Sequence, residues 1–250
     1  MATPRIDVLL VCGGLFHDFD FVRLQILQRL AKHANVRTHV AHDYSNLDAL
    51  ARAGAIITYT TNVIPNDVQQ AALAAFLARG GRWFALHGTN AMVDIDEQGY
   101  ASCPPVAPRF MQMLGSQFQA HPPKGEFEVH NAQPDHPMVK GIDTFTVDDE
   151  LYLIDECAPF ETLLYANFSG KAMRGFKQRD YSDDVRRPIL YRREVGAGEV
   201  LYLNLGHCRG HHDMQPLMDW YPEVERGSWS SPVFLDLVER GLDWMAQVRK

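Results

Sequence analysis

A chain of 250 residues, 46% hydrophobic and 22% charged, is long enough for one large domain or two small ones and can bury a sizeable core. Its net charge of −7, with no strong basic patch to offset it, excludes nucleic acid and anionic membrane surfaces as partners. It has no secretory signal and no apolar run fit to cross a bilayer, and Cys12, Cys103, Cys157 and Cys208 form no CxxC pair, so a cytoplasmic protein with reduced thiols is expected.

Residues 6–12 are almost wholly apolar, as in a strand covered on both faces of a parallel sheet, and Gly13-Gly14 end the run. A helix is expected over 19–32, with Phe21, Leu24, Leu27, Leu30 and Ala31 on one broad face. Residues 36–41 and 55–59 read as the second and third strands. Asn66 caps the best-marked helix and Gln69 completes its capping box. Val68, Ala72, Ala75, Phe76 and Arg79 lie along that helix, and Gly80-Gly81 stop it. Residues 82–86 form a fourth strand that runs into His87-Gly88. Strands and helices alternating at this length imply right-handed crossovers and a parallel sheet, with ligands beyond the carboxyl ends of its strands.

The second half changes character. Pro104, Pro105 and Pro108 make 99–109 a loop, and 126–129, 144–147, 162–165 and 188–191 are short strand-like runs. Gly196-Ala197-Gly198 turns a hairpin into a strand at 200–203. Ser231 and Pro232 open a last helix, whose buried stripe is Phe234, Leu237, Val238, Gly241 and Met245. With no internal repeat and no low-complexity linker, one domain over 1–250 is the simpler expectation.

His17, His87 and His207 each fall just past the end of a predicted strand. In a parallel sheet such ends share one edge. A lone histidine there reads as a satisfied core side chain, but the coincidence of these points to a common pocket for acid–base work or for a divalent metal such as zinc. His17, His87 and His207 are therefore also the candidate metal ligands. His121, in Gln-Ala-His-Pro-Pro, is a candidate substrate contact. Glu150, against Leu151 and Tyr152, can orient a histidine or bind hydroxyls, with Tyr152 beside it, whereas Asp148 and Asp149 serve equally well as a charged turn. Asp18 either caps the following helix or reaches the pocket. His211 and His212 open a long segment to about Trp229 that can fold over the pocket, where Trp220 and Tyr221 can face a sugar ring or pack on the surface. Walker, GxGxxG, HExxH and GxSxG motifs are absent, so nucleotide-dependent and serine-hydrolase readings have no support.

The segment Gly80-Gly-Arg-Trp-Phe-Ala-Leu-His-Gly88 resembles the nucleophile elbow of class I glutamine amidotransferases, with His87 where those enzymes carry cysteine. Together with Gly14 to Asp18, Asp149-Glu150-Leu-Tyr152, Gly196 to His207 and the closing Leu242-Asp-Trp244, the pattern resembles the ThuA family of trehalose-utilisation proteins over roughly 5–246. That resemblance implies a flavodoxin-like α/β three-layer sandwich with a mainly parallel sheet, class I glutamine amidotransferase-like, plus a β-hairpin region. It also implies a role in bacterial carbohydrate catabolism, without glutaminase activity, and marks His17, His87, Glu150 and His207 as pocket residues. The segment from His211 to Trp229 is longer than the family pattern. The expected activity is histidine acid–base chemistry on a sugar or 3-keto-glycoside, of isomerase, lyase or hydrolase type and with optional metal assistance. The alternative is a non-catalytic carbohydrate-binding or sensing protein. A small carbohydrate is the expected partner, and self-association into a homo-oligomer stays open.

Overall fold

The computed structural model describes residues 4–247, apart from the side chain of Asp184. The apolar first run forms β1 (Ile6–Gly14), α1 (Phe19–Leu30) returns to β2 (Val36–Ala41), and α2 (Leu47–Arg52) leads to β3 (Ala55–Thr61). The capping box closes as the sequence suggests: Asn66 Oδ1 accepts from Gln69 N at 3.0 Å, and Gln69 Oε1 accepts from Asn66 N at 2.9 Å. It starts α3 (Asp67–Ala78), which leads to β4 (Arg82–Leu86) and then to a single 3-10 turn over His87–Asn90. The small pair β5 (Asp94–Ile95) and β6 (Ala101–Ser102) comes next, then α4 (Pro108–Leu114) and β7 (Ser116–Ala120). Six further strands follow: β8 (Gly125–Asn131), β9 (Phe145–Asp149), β10 (Leu153–Glu156), β11 (Glu161–Lys171), β12 (Asp180–Val195) and β13 (Gly198–Leu203). The last described helix is α5 (Pro232–Ala246).

Nine strands form one sheet in the order β2-β1-β3-β4-β13-β12-β11-β8-β9. The first five are mutually parallel and follow the 2-1-3-4-5 order of flavodoxin-like folds. The remaining four extend the sheet antiparallel, so the fold is α/β with a mixed sheet around a parallel core. Side chains alternate across β1: Val8, Leu10 and Cys12 pack with α1 and α5 on one face, whereas Leu9 and Val11 pack with α2, α3 and α4 on the other. Burying both faces explains why β1 reads as an almost wholly apolar run. No described helix is long and apolar enough to cross a membrane.

Several expectations shift. The stripe of α1 is Val22, Ile26 and Leu30, while Leu24 is 53% exposed. In α3 the buried set is Gln70, Leu73, Phe76 and Leu77, and Val68 is 63% exposed. Both helices carry apolar residues on more than one face, so periodicity alone could not choose the packed one. The stripe read for α5 is buried throughout. Residues 99–109 are not a plain loop, because they contain β6 and the first turn of α4, where Pro108 sits at a position that needs no intrahelical N–H. The runs at 162–165 and 188–191 are fragments of β11 and β12, whose charged outer residues interrupt the apolar signal.

Candidate functional site

Three ends of the parallel core converge. β1 passes through Gly14, where φ is +125° and an added Cβ would lie 1.9 Å from Thr61 O, so the chain can turn there against β3. His17 follows, with Nδ1 3.1 Å from Thr61 Oγ1 and 3.3 Å from Leu15 O. β4 delivers His87 at a φ of +44°, a strained conformation for a residue with a Cβ and the geometry of an elbow. The turn is held by Tyr202, whose hydroxyl donates to His87 O at 2.7 Å and accepts from Asn90 N at 2.8 Å. β13 ends at Leu203 and leads to His207 through Gly206, whose carbonyl accepts from Tyr59 and Trp229, each at 2.8 Å.

Glu150 arrives from the antiparallel half, immediately after β9. Its neighbour Asp149 is buried and accepts four backbone N–H groups, from Glu150, Gly206, His207 and Ser228, at 2.7 to 3.1 Å. One carboxylate thus ties the end of β9 to the loop after β13 and to the segment before α5. With that tie in place, Glu150 Oε2 lies 3.3 Å from His207 Nδ1 and 3.8 Å from His87 Nε2, and Oε1 lies 3.5 Å from Arg209 and 3.6 Å from His121 Nε2. His87 Nε2 lies 3.0 Å from both His17 Nε2 and the Tyr152 hydroxyl. His207 Nε2 meets Glu225 Oε2 at 2.8 Å, and Arg209 joins the same carboxylate at 3.1 Å. His17, His87, Glu150 and His207 each offer a donor atom within 4.8 Å of the others and are the described residues that can hold a metal ion here.

Burial and charge set unlike protonation states side by side. Desolvation, reinforced by the neighbouring imidazoles, holds His17 well below the usual histidine range. Burial takes His87 down to about 4, against the opposing pull of Asp149 and Glu150. Burial also opposes charge on His207, but Glu150 and Glu225 outweigh it and raise the group to about 9. For Glu150, burial favours the neutral acid, yet His121, His207 and Arg209 together hold it well below the usual carboxylate range.

A cavity of about 130 Å³ opens onto this cluster. His17, His121, Glu150, Tyr152, Thr61 and Arg209 supply its polar wall. Phe118 and Phe176 are among its apolar lining, and Met214 and Leu217 close it from the segment after His207. The other residues picked out from the sequence lie elsewhere. His87 and His207 are fully buried behind the lining and touch the cavity through His17, Tyr152 and Glu150. Asp18 does not line the cavity: one oxygen caps α1 on Phe21 N at 3.0 Å and the other pairs with Arg226 at 3.0 Å. His211 stacks on Trp220 at 4.0 Å between centroids and bonds Tyr221 O, and His212 is exposed with its edge to Trp220. The long segment therefore covers the cavity with Met214 and Leu217, while Trp220 packs on His211, Tyr221 lies under Arg209, and Trp229 packs against Phe21 and Tyr59.

Residues 7–220 match the family model described as ThuA, trehalose utilisation. The chain belongs to the ThuA family. Among solved structures, this ThuA member is similar to a ThuA-like protein of Parabacteroides merdae ATCC 43184, at 15% identity over 98% of this chain and 92% of that one, with a TM-score of 0.69. A ThuA-like protein of Bacteroides uniformis ATCC 8492 is 18% identical over 98% and 93% of the two chains, with a TM-score of 0.64. A β-galactosidase of Rahnella sp. R3 shares the fold over 80% of this chain but only 28% of its own, at 11% identity and a TM-score of 0.54. No curated protein matches the sequence.

Asp149, Arg209 and Glu225 also join this cluster, Arg209 and Glu225 with no signal in the sequence. Asp149 looked equally like part of a charged turn. Arg209 and Glu225 meet through backbone bonds at 2.8 and 3.0 Å across a loop of irregular structure, where no periodicity announces a pairing.

Proposed function

We propose that this ThuA family member is an enzyme of carbohydrate catabolism that moves protons on a sugar or 3-keto-glycoside. The observation that carries the proposal is the pair of cavity-facing imidazoles, His17 and His121, each backed by a buried partner: His87 behind His17 and Glu150 beside His121. A ketone acidifies the C–H bond next to it. One imidazole takes that proton, and the electron pair of the C–H bond moves onto the ketone oxygen. Arg209 and the Tyr152 hydroxyl on the same wall stabilise the resulting enolate. Protonating the enolate oxygen gives an enediol; returning the first proton to the former ketone carbon, while the neighbouring hydroxyl gives up its proton and becomes the new ketone, isomerises the sugar. Expelling the glycosidic oxygen, protonated by the second imidazole, eliminates the aglycone instead. Phe118 and Phe176 offer faces for the C–H side of a sugar ring. Histidine at the elbow supplies no thiol, so glutamine hydrolysis is not the reaction.

The test is NMR of a 3-keto-glycoside in D2O with the wild type, His17→Ala and His121→Ala. The wild type is expected to exchange deuterium into the position beside the ketone or to release product, and each variant to lose about 10²- to 10⁴-fold in rate. No exchange and no product from the wild type, with saturable binding intact, would overturn the enzymatic proposal and favour a carbohydrate-binding or sensing role.

A further inference from the structure

We infer that His17, His87, His207 and Glu150 form the first coordination shell of a divalent transition-metal ion, with zinc the best fit. The inference rests on how the imidazoles are held and stands apart from the choice of sugar; with the ion bound His17 serves as a ligand, and His121 with the Tyr152 hydroxyl carries the proton transfers of the proposed reaction.

Each ring is anchored by the nitrogen that faces away from the cluster. His87 Nδ1 lies 2.9 Å from Asn204 O and His207 Nε2 lies 2.8 Å from Glu225 Oε2, while His17 Nδ1 sits between Thr61 Oγ1 at 3.1 Å and Leu15 O at 3.3 Å. Carbonyl and carboxylate oxygens only accept, so the outer nitrogens of His87 and His207 carry protons, and His17 Nδ1 does the same when the Thr61 hydroxyl turns its hydrogen away. The inner nitrogens are then left with lone pairs directed at one another. This is the arrangement by which oxygen acceptors orient metal-binding histidines from outside the shell, with Glu225 completing a carboxylate–histidine pair. Two contacts inside the cluster suit a cation. His17 Nε2 and His87 Nε2 stand 3.0 Å apart, a spacing satisfied by one shared proton or, with both outer nitrogens protonated, by a cation bound to both. His207 Nδ1 is buried with Glu150 Oε2 as its nearest partner at 3.3 Å, a gap that a shared ion can bridge.

The dimensions agree. Bonds of about 2.0–2.1 Å around a tetrahedral zinc place neighbouring ligands about 3.4 Å apart. Separations of 3.0, 3.3 and 3.8 Å between successive donors bracket that value, and no donor pair exceeds 4.8 Å. Charge agrees as well. The buried carboxylates Asp149 and Glu150, with half-buried Glu225, face Arg209 and His207, and a divalent ion bound here takes the place of a proton on His207. Three nitrogens and one oxygen suit zinc better than magnesium or calcium, which favour all-oxygen shells. Because His17 and Glu150 also line the cavity, a substrate oxygen can join the ion from that side. Tyr152, whose hydroxyl is 3.0 Å from His87 Nε2, can pass its hydrogen bond to that oxygen.

The full chain, stripped with a chelator and dialysed, is titrated with Zn²⁺ and separately with Co²⁺. One tightly held equivalent by elemental analysis is expected, together with the strong visible absorption of four- or five-coordinate cobalt. Glu150→Gln should weaken binding by tenfold or more, and Glu225→Gln, outside the shell, by about 10- to 100-fold. His42→Ala, on an exposed histidine away from the cluster, should leave it unchanged. Weak or substoichiometric uptake, a weak six-coordinate cobalt spectrum, or wild-type affinity in Glu150→Gln overturns the inference. The two proposals fail separately: metal held without turnover of any keto-glycoside defeats the sugar reading alone, and turnover by protein that binds no metal defeats this one alone.

Discussion

Replacing Asp149 by asparagine tests how the site is pinned. Oδ1 accepts from Glu150 N at 2.7 Å and His207 N at 3.1 Å, and Oδ2 accepts from Gly206 N at 2.9 Å and Ser228 N at 3.0 Å. An amide keeps one oxygen and turns an NH2 toward the other two donors, which lose their acceptor and face a like group. Two bonds to a charged acceptor are worth about 1.5–3 kcal/mol each, so the loss is about 3 kcal/mol at the low end. For a chain of this size about 2–4 °C accompanies each kcal/mol, so thermal unfolding followed by circular dichroism should shift down by about 6–12 °C. Asp148→Asn is the control, because Asp148 is half-exposed and pairs with Lys124, and it should change stability by less than about 0.5 kcal/mol. If Asp149→Asn costs under about 1 kcal/mol, or no more than the control, the four donors do not depend on this carboxylate and the reasoning fails.

Two further outcomes follow from packing and burial. Gly14→Ala places a Cβ 1.9 Å from Thr61 O at a φ that L residues rarely adopt, so chemical denaturation should show a loss of about 3 kcal/mol or more; a near-neutral variant would mean that β1 and β3 separate there without cost. Burial raises all four thiols, taking Cys12 and Cys103 up to about 12 and Cys208 higher still, whereas half-buried Cys157 moves less. Native protein at pH 8 should therefore be alkylated by iodoacetamide at Cys157 first, and faster as pH rises; peptide mapping that found Cys12 or Cys208 modified first would contradict the packing.

The sequence was most informative where one physical cause acts on contiguous residues. Burial on both faces made the parallel strands visible, and local capping at Asn66 and Ser231 marked α3 and α5. Parallel topology alone also brings the ends of β1, β4 and β13 to one edge, which is why His17, His87 and His207 could be grouped before any distance was known. What stayed hidden depends on contacts between distant or irregular segments. Cavity lining separates His17 from His87, a difference set by which ring lies in front. The packing of Trp220 onto His211 rather than onto the cavity is a choice among apolar surfaces that composition cannot make. Asp149 and Glu225 act through backbone donors and a ring nitrogen supplied by other parts of the chain, so neither carries a local signature.

The place of β13 between β4 and β12 has a consequence for how the molecule is made. β4 is complete by Leu86, but its parallel neighbour is Gly198–Leu203, more than a hundred residues further along. During synthesis at about 5–20 residues per second, the outer edge of β4 stays unpaired for several seconds at least, and Trp83 and Phe84, fully buried in the finished sheet, belong to that strand. Parallel pairing over such a separation is slow to close and leaves a template for association with other chains. Nascent chains arrested before Leu203 should therefore lean on chaperones, and His87 gains its Asn204 partner only when that edge is sealed.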